Sequence, residues 1–338
     1  MKRILIVNVN WVGDVLFSTP IFPAIKKAYP DSYVACMIVP LAKEVLAGNP
    51  AIDDLIIFDE EGKEKSLIGK IKFISRLKKE RFDIVFLLHR SFTRALIVYL
   101  AGIAQRIGYY TKKRAFLLTQ AIDAPLVDSN LHRMDYYLNI VESAGIKIED
   151  RNYQFFVSDE DRNFAANLLT ENGVGRPDFL AVLNPGGNWD LKHWPKEKFA
   201  FLTDKLISEF NARVAIVGAA KDISLALEIA NLMQNKPIIL AGKTNLKQLG
   251  ALLERANVMV SADSGPMHIA CAVGTPTIIL FGPTSQEITG PKGKGKCIII
   301  QKDTGCKIPC YKLDCPDNRC MKIISVEEVV EEIRKLKK

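Results

Sequence analysis

The amino-acid sequence predicts an α/β protein made of two successive Rossmann-like, doubly wound parallel-sheet domains facing across a cleft. Three observations predict it. Short apolar runs rich in β-branched residues alternate with amphipathic helical patterns. The alternation occurs twice, restarting near residue 159. The chain has 338 residues, 48% of them hydrophobic and 25% charged, enough to bury a core in each half.

The elements of the first half follow in order. The run Arg3–Val9 reads as a buried parallel strand, followed by a turn at Gly13 and Asp14. A helix is predicted over Val15–Ala28, stopped ahead of Pro30. Strands are predicted at Tyr33–Ile38, Leu55–Phe58 and Asp83–Leu88, with helices at Leu67–Lys79 and Thr93–Ala101. In the second half, strands are predicted at Phe179–Leu183, Arg213–Val217, Pro237–Leu240, Val258–Ser261 and Thr277–Phe281. Helices at Lys196–Glu209, Ile223–Met233, Leu246–Arg255 and Met267–Val273 separate them. The domains are drawn at residues 1–155 and 156–325, and the helix within 326–338 is expected to pack back on the first domain.

Composition narrows the partners. The chain carries 46 basic against 38 acidic residues, a net charge of +8. Such a balance suits an anionic partner: a nucleic acid, a phospholipid surface or a phosphorylated substrate. Aromatic residues are not interleaved with the basic runs as stacking platforms, so no nucleic acid is expected. No apolar run approaches the ~18 residues of a membrane span. No secretory leader is read at the start. The expected location is the cytoplasm.

Ligands of doubly wound sheets bind beyond the carboxyl ends of the strands, so post-strand loops carry the candidate sites. The first is Trp11–Pro20, where Gly13 and Asp14 follow the opening strand. Asp14 is placed either to cap the helix or to accept a proton from an attacking hydroxyl. A single glycine there excludes a G-x-G-x-x-G dinucleotide fingerprint. The second is Leu183–Pro195. Asn184, Gly186 and Gly187 lie where backbone amides can approach a ligand, and Lys192 offers a charge suited to a diphosphate leaving group. Trp194 in the same segment reads as loop packing.

The third site is Ser261–Ala270, where Asp263, Ser264 and Gly265 open a helix bearing His268. Free amides at such a helix start bind phosphate, although Asp263 or Ser264 would equally serve as caps. Thr284 lies in the next post-strand loop, Phe281–Ser285. The fourth site is a basic group, Arg90, Arg94, Arg106, Lys112, Lys113 and Arg114, suited either to acceptor phosphates or to a solvated rim. The fifth holds Cys306, Cys310, Cys315 and Cys320, spaced C-x3-C-x4-C-x4-C. That spacing departs from the C-x2-C pairs of zinc sites, and the loop reads as structural. Four thiols there would still admit zinc, an iron–sulfur cluster or two disulfides. The acidic string Asp159-Glu160-Asp161 reads as first-turn helix charge, not as a metal–nucleotide site. No metal and no cofactor are expected.

Taken together, WVGD at Trp11–Asp14, SFTRAL with AGI and RIGY at Ser91–Tyr109, NPGG with KHWP at Asn184–Pro195, and DSGPMH with FGPTS resemble glycosyltransferase family 9 over nearly the whole chain. Within that family the motifs are most similar to the heptosyltransferase II branch. The resemblance implies a GT-B fold, with the acceptor bound mainly by the first domain and the nucleotide-sugar by the second. It implies metal-independent, inverting transfer of heptose from ADP-heptose to the lipid A–core acceptor of lipopolysaccharide. Asp14 is then the general base, and Lys192 neutralises the departing diphosphate. Asn184, Gly186, Gly187, Lys192, Asp263, Ser264, Gly265, His268 and Thr284 form the donor set. Gly13, Arg90, Arg94, Lys112, Lys113 and Arg114 form the acceptor set. The working unit is expected to be a monomer, peripheral at the inner face of the inner membrane. The alternatives are a family transferase with another donor or acceptor, or a nucleotide-sugar epimerase on the same fold.

Overall fold

The computed structural model describes residues 1–124, 131–310, 312 and 314–337. The chain separates into two compact units, Met1–Phe156 and a second beginning at Val157. The first unit runs β1 (Arg3–Val7), α1 (Val12–Ser18), α2 (Ile21–Ala28), β2 (Tyr33–Ile38), α3 (Lys43–Leu46), β3 (Asp54–Ile57), α4 (Leu67–Lys79), β4 (Ile84–Leu87), α5 (Phe92–Leu100), β5 (Gln105–Tyr109), β6 (Gln120–Ile122) and α6 (Arg133–Glu142). The second runs α7 (Asp159–Glu171), β7 (Leu180–Asn184), α8 (Lys196–Phe210), β8 (Arg213–Ile216), α9 (Ile223–Asn231), β9 (Ile238–Ile239), α10 (Leu246–Arg255), β10 (Val258–Ala262), α11 (Gly265–Val273), β11 (Thr277–Phe281), α12 (Gln286–Thr289), β12 (Cys297–Gln301), α13 (Arg319–Lys322) and α14 (Val326–Lys337).

Each unit holds one six-stranded sheet, ordered β3-β2-β1-β4-β5-β6 in the first and β12-β11-β10-β7-β8-β9 in the second. All ladders are parallel, with Leu5 opposite both Ala35 and Val85, and Val260 opposite both Leu183 and Ile278. Parallel strands need helical crossovers, and helices on both faces explain why β1 and β10 are almost wholly apolar. On one face of the first sheet, Leu5, Val7 and Val85 pack against Phe73, Leu77, Ala95 and Val98 of α4 and α5. The two strand orders are the same topology, and both match the doubly wound Rossmann order. In each, the strand order reverses once, between β1 and β4 and between β7 and β10. Loops leaving the two central strands diverge there and open a crevice.

Several boundaries move from the sequence-based expectation, for physical reasons. The single helix expected over Val15–Ala28 starts at Val12 and breaks into α1 and α2 around Thr19 and Pro20. Pro20 has no N–H to continue the ladder, and the Thr19 hydroxyl donates to Leu16 O at 2.7 Å. Strands β5, β6 and β12 and helix α6 add elements that the apolar pattern does not announce. β5 carries Gln105, Arg106 and Gly108, and β6 is a three-residue edge. α14 buries Val326, Val329, Val330 and Ile333 in the core of the second unit, with Arg334 paired to Glu209 of α8.

Candidate functional site

The switch point of the first sheet sets the first group. Asn8 lies past the end of β1, fully buried; its Nδ2 donates to Ser18 Oγ at 2.9 Å and its Oδ1 accepts from Val9 N at 2.8 Å. This side chain ties the post-strand loop to α1. Trp11 occupies the N-cap position without a side-chain cap bond, so Asp14 sits in the first turn and is not the cap. Its Oδ1 accepts from the Tyr137 hydroxyl of α6 at 3.0 Å. Burial and the Asp14 charge hold the Tyr137 phenol well above its ordinary pKa of 10, so it stays protonated and donating. Gly13 precedes Asp14 on the same turn.

The basic group divides. Arg90, Lys112 and Lys113 are exposed near this carboxyl edge. Arg94 and Arg114 are 1% and 0% exposed, which corrects their assignment to an acceptor-facing rim. The Arg94 guanidinium donates to Asn8 O at 2.7 Å and Asn10 Oδ1 at 2.8 Å, and pairs with Glu60 at 2.7 Å. The Arg114 guanidinium donates to His89 O and to Tyr109 O, each at 2.7 Å. Five fixed donors on a planar group suit this work: Arg94 ties the Asn8–Asn10 loop to Glu60, and Arg114 ties His89 O to Tyr109 O at the end of β5. Arg106 is likewise spent on backbone, donating to Leu117 O at 2.6 Å.

Two predictions follow for this half. Arg94→Ala leaves Asn8 O and Glu60 without their donor, so unfolding stability is expected to fall by about 2–4 kcal/mol, read from the denaturant midpoint. His89 is held down at about 4 by burial and then by the Arg94 charge. Its folded pKa lies below the unfolded value of 6.5, so the unfolded chain binds the extra proton. Stability is therefore expected to be lost as pH falls from about 6.5 to 4, and His89→Gln should flatten that part of the profile.

The switch point of the second sheet sets the second group. Asn184 ends β7 almost fully buried, and its Nδ2 donates to Ser261 Oγ at 3.0 Å and Ser264 Oγ at 3.1 Å. Asn184 thereby bridges the two diverging loops. Ser264 is the N-cap position of α11 but makes no side-chain cap bond, its hydroxyl being held by Asn184 and Ser261. Pro266 in the first turn carries no N–H, and Gly274 ends the helix at φ 94°, a left-handed conformation suited to glycine. An uncapped helix start presents amides and a positive dipole end to an anion.

Lys192 lies beside that helix start. Its Nζ donates to Asp263 Oδ2 at 2.8 Å and reaches Asp263 O at 3.3 Å. Asp263 is 7% exposed, and its carboxylate also accepts from Thr289 Oγ1 at 3.3 Å. His268 Nε2 is 3.9 Å from Asp263 Oδ1, and His268 is 3% exposed. The carboxylate thus organises a lysine, a hydroxyl and an imidazole at one helix start. Three buried donors nearby have no protein partner: Trp189 Nε1, His193 Nε2 and Thr284 Oγ1. Buried polar atoms are nearly always satisfied, so these fit a ligand or ordered water.

The glycine loop is packed from below by Asp222. A Cβ on Gly186 would lie 2.5 Å from the Asp222 carboxyl carbon, and one on Gly218 would lie 2.8 Å from Asp222 Cβ. Asp222 Oδ2 is fixed by Ala219 N at 2.8 Å, and Lys221 Nζ holds Gly187 O at 2.8 Å. Gly186→Ala is therefore expected to cost about 1–3 kcal/mol of stability, read by denaturation. Trp194 is core, 2% exposed, with its Nε1 donating to Ile324 O at 3.1 Å and its ring edge-on to Phe199 at 5.1 Å.

The acidic string at the start of α7 is used locally. Asp161 closes a capping box with Ser158, and Asp159 pairs with Arg162 at 3.0 Å. All four clustered cysteines are free thiols. Among the described residues, no group of three or more His, Cys, Asp or Glu side chains is arranged to hold a metal ion. Cys310 N donates to Pro283 O at 2.7 Å, so the cysteine segment backs the loop that carries Thr284.

The structure brings the candidate residues together with Tyr137, Trp189, His193 and Asp222, which sequence reading does not single out as site residues. Tyr137 carries no local signal, being 123 residues from Asp14. Trp189 and His193 lie within the candidate loop Leu183–Pro195, and Asp222 lies just ahead of α9.

The comparisons with known proteins agree with one another. The model of glycosyltransferase family 9 (heptosyltransferase) matches residues 70–319. The chain is 26% identical to lipopolysaccharide heptosyltransferase 2 of Escherichia coli K12, over 90% of this chain and 89% of that protein. It is 28% identical to lipopolysaccharide heptosyltransferase 3 of the same organism, over 96% and 95% of the two chains. The solved structure of E. coli ADP-heptose lps heptosyltransferase II superposes with a TM-score of 0.81 at 25% identity, covering 99% and 98% of the two chains.

Proposed function

Because the chain belongs to glycosyltransferase family 9, the heptosyltransferases, we propose that it moves heptose from ADP-heptose to the lipopolysaccharide inner core as a type II enzyme. It is a glycosyltransferase with the GT-B type of architecture. The observation that carries the donor reading is the uncapped start of α11 with Lys192 held beside it by Asp263. A helix amide terminus and an ammonium together suit a diphosphate.

Each residue then has a task. The diphosphate of the donor lies against the first amides of α11 and Lys192. Asp14 takes the proton of the acceptor hydroxyl. That oxygen bonds to the anomeric carbon from the face opposite the diphosphate, inverting the centre. The bond from the anomeric carbon to the phosphate oxygen breaks, and its electron pair leaves with ADP. Lys192 and the helix dipole stabilise the charge that builds on the leaving group. Tyr137 positions Asp14 by donating to its Oδ1. Arg90, Lys112 and Lys113 are the exposed cations offered to acceptor phosphates.

Among the described residues, no helix is long and apolar enough to cross a membrane. The donor claim is tested by calorimetric titration with ADP-heptose, ADP and UDP, with chelator and then with Mg²⁺. Adenine nucleotides are expected to bind selectively under chelator. A preference for UDP, or binding only with Mg²⁺, would reject the donor reading.

A further inference from the structure

Helix α4 needs only one face for the core, and it uses Phe73 and Leu77 there. Leu67, Ile68 and Ile71 stand on the other side of its first turns, 74%, 67% and 57% exposed. Leu67 and Ile71 share one stripe at i, i+4, with Ile68 beside them. Three large aliphatic side chains in water at one helix end return nothing to folding.

The uncommitted charge around this tip is mostly cationic. Lys63, Lys65, Lys72, Lys78 and Lys79 are all exposed, and none makes an ion pair among those recorded. Of the neighbouring acids, Glu60 pairs with Arg94 and Glu80 with Arg3 at 2.8 Å, and Glu64 accepts from the Asp59 amide at 2.8 Å; exposed Glu61 is outnumbered by these lysines. An apolar tip flanked by Lys63, Lys65 and Lys72, with Lys78 and Lys79 at the far end of the same helix, is the pattern of an interfacial membrane helix. The fold adds a reason for its place. α4 starts beyond the carboxyl end of β3, the sheet edge that also carries Asp14, Arg90 and the Lys112–Lys113 loop.

We propose that the start of α4 docks the protein on an anionic lipid surface. Leu67, Ile68 and Ile71 enter the headgroup boundary, and the flanking lysines pair with lipid phosphates. The purpose of this surface, delivery of the first unit to a lipid-linked acceptor, rests on the heptosyltransferase reading.

The test uses the full chain with vesicles of equal phosphatidylethanolamine and phosphatidylglycerol, without acceptor or sugar nucleotide. Phosphatidylcholine vesicles serve as comparison. The protein is expected to sediment with the anionic vesicles and to be released by salt. The combined variant Leu67→Ser, Ile68→Ser, Ile71→Ser should partition at least roughly tenfold less with an unchanged unfolding midpoint. Lys63→Glu with Lys65→Glu and Lys72→Glu should weaken binding to anionic vesicles alone. Equal partitioning of the triple serine variant would overturn the proposal. So would failure of the wild type to bind, or a wild-type dimer that the serine variant dissociates. Transfer to a deacylated, water-soluble acceptor is measured separately. The serine variant should retain it, so a failure of the lipid surface and a failure of the transfer reading give different results.

Discussion

Asp14→Asn is expected to lose about 10²–10⁴ of turnover while binding ADP-heptose as the wild type does. The substitution preserves size and keeps an oxygen for the Tyr137 hydroxyl, which now lies 3.0 Å from Asp14 Oδ1. It removes the basicity that takes the acceptor proton. Donor affinity is expected to be unaffected because Asp14 belongs to the first unit and the proposed donor site at the start of α11 to the second. Single-turnover transfer with saturating donor reads the chemical step directly. Turnover within a factor of about three of wild type would remove Asp14 from the role of base.

Lys192→Met is expected to be the other severe change. Methionine keeps most of the stem and deletes the ammonium that donates to Asp263 at 2.8 Å. The leaving diphosphate gains charge as the sugar bond breaks, so the lost interaction is strongest in the transition state. A fall of about 10²–10³ in kcat is expected, with a smaller fall in donor affinity. The variant also leaves Asp263, 7% exposed, with Thr289 and His268 as its remaining recorded neighbours. A loss of stability therefore accompanies the kinetic effect, and Lys192→Arg should restore most of the stability. If Lys192→Met changes only stability and leaves kcat intact, the lysine is a structural partner of Asp263 and not a leaving-group stabiliser.

The parts of the fold that could be read from the sequence were those with one physical determinant. Leu67–Lys79 has a Ser66 cap, with the Ser66 hydroxyl accepting from Gly69 N at 3.0 Å, and a clear apolar stripe. Thr277–Phe281 is apolar throughout because helices cover both faces of its sheet. β5 was not legible because Gln105 and Arg106 meet solvent at the amino end of the strand, while only its latter part is buried. The candidate loops are selected by the switch-point rule and the glycine turns, which need no tertiary information. The site was not legible to the level of partners. Arg94 and Arg114 looked like ligands for phosphate because sequence shows a charge but not the carbonyls it serves. Asp14 and Tyr137 are joined only after α6 packs on α1.

The central claim is tested most directly by incubating the purified protein with ADP-heptose and a lipid A–core acceptor under chelator, then weighing the product and assigning its anomeric linkage. The account predicts release of ADP, an acceptor heavier by one heptose, and inversion at the transferred carbon. An unchanged acceptor, or transfer that requires added metal or proceeds with retention, would contradict it.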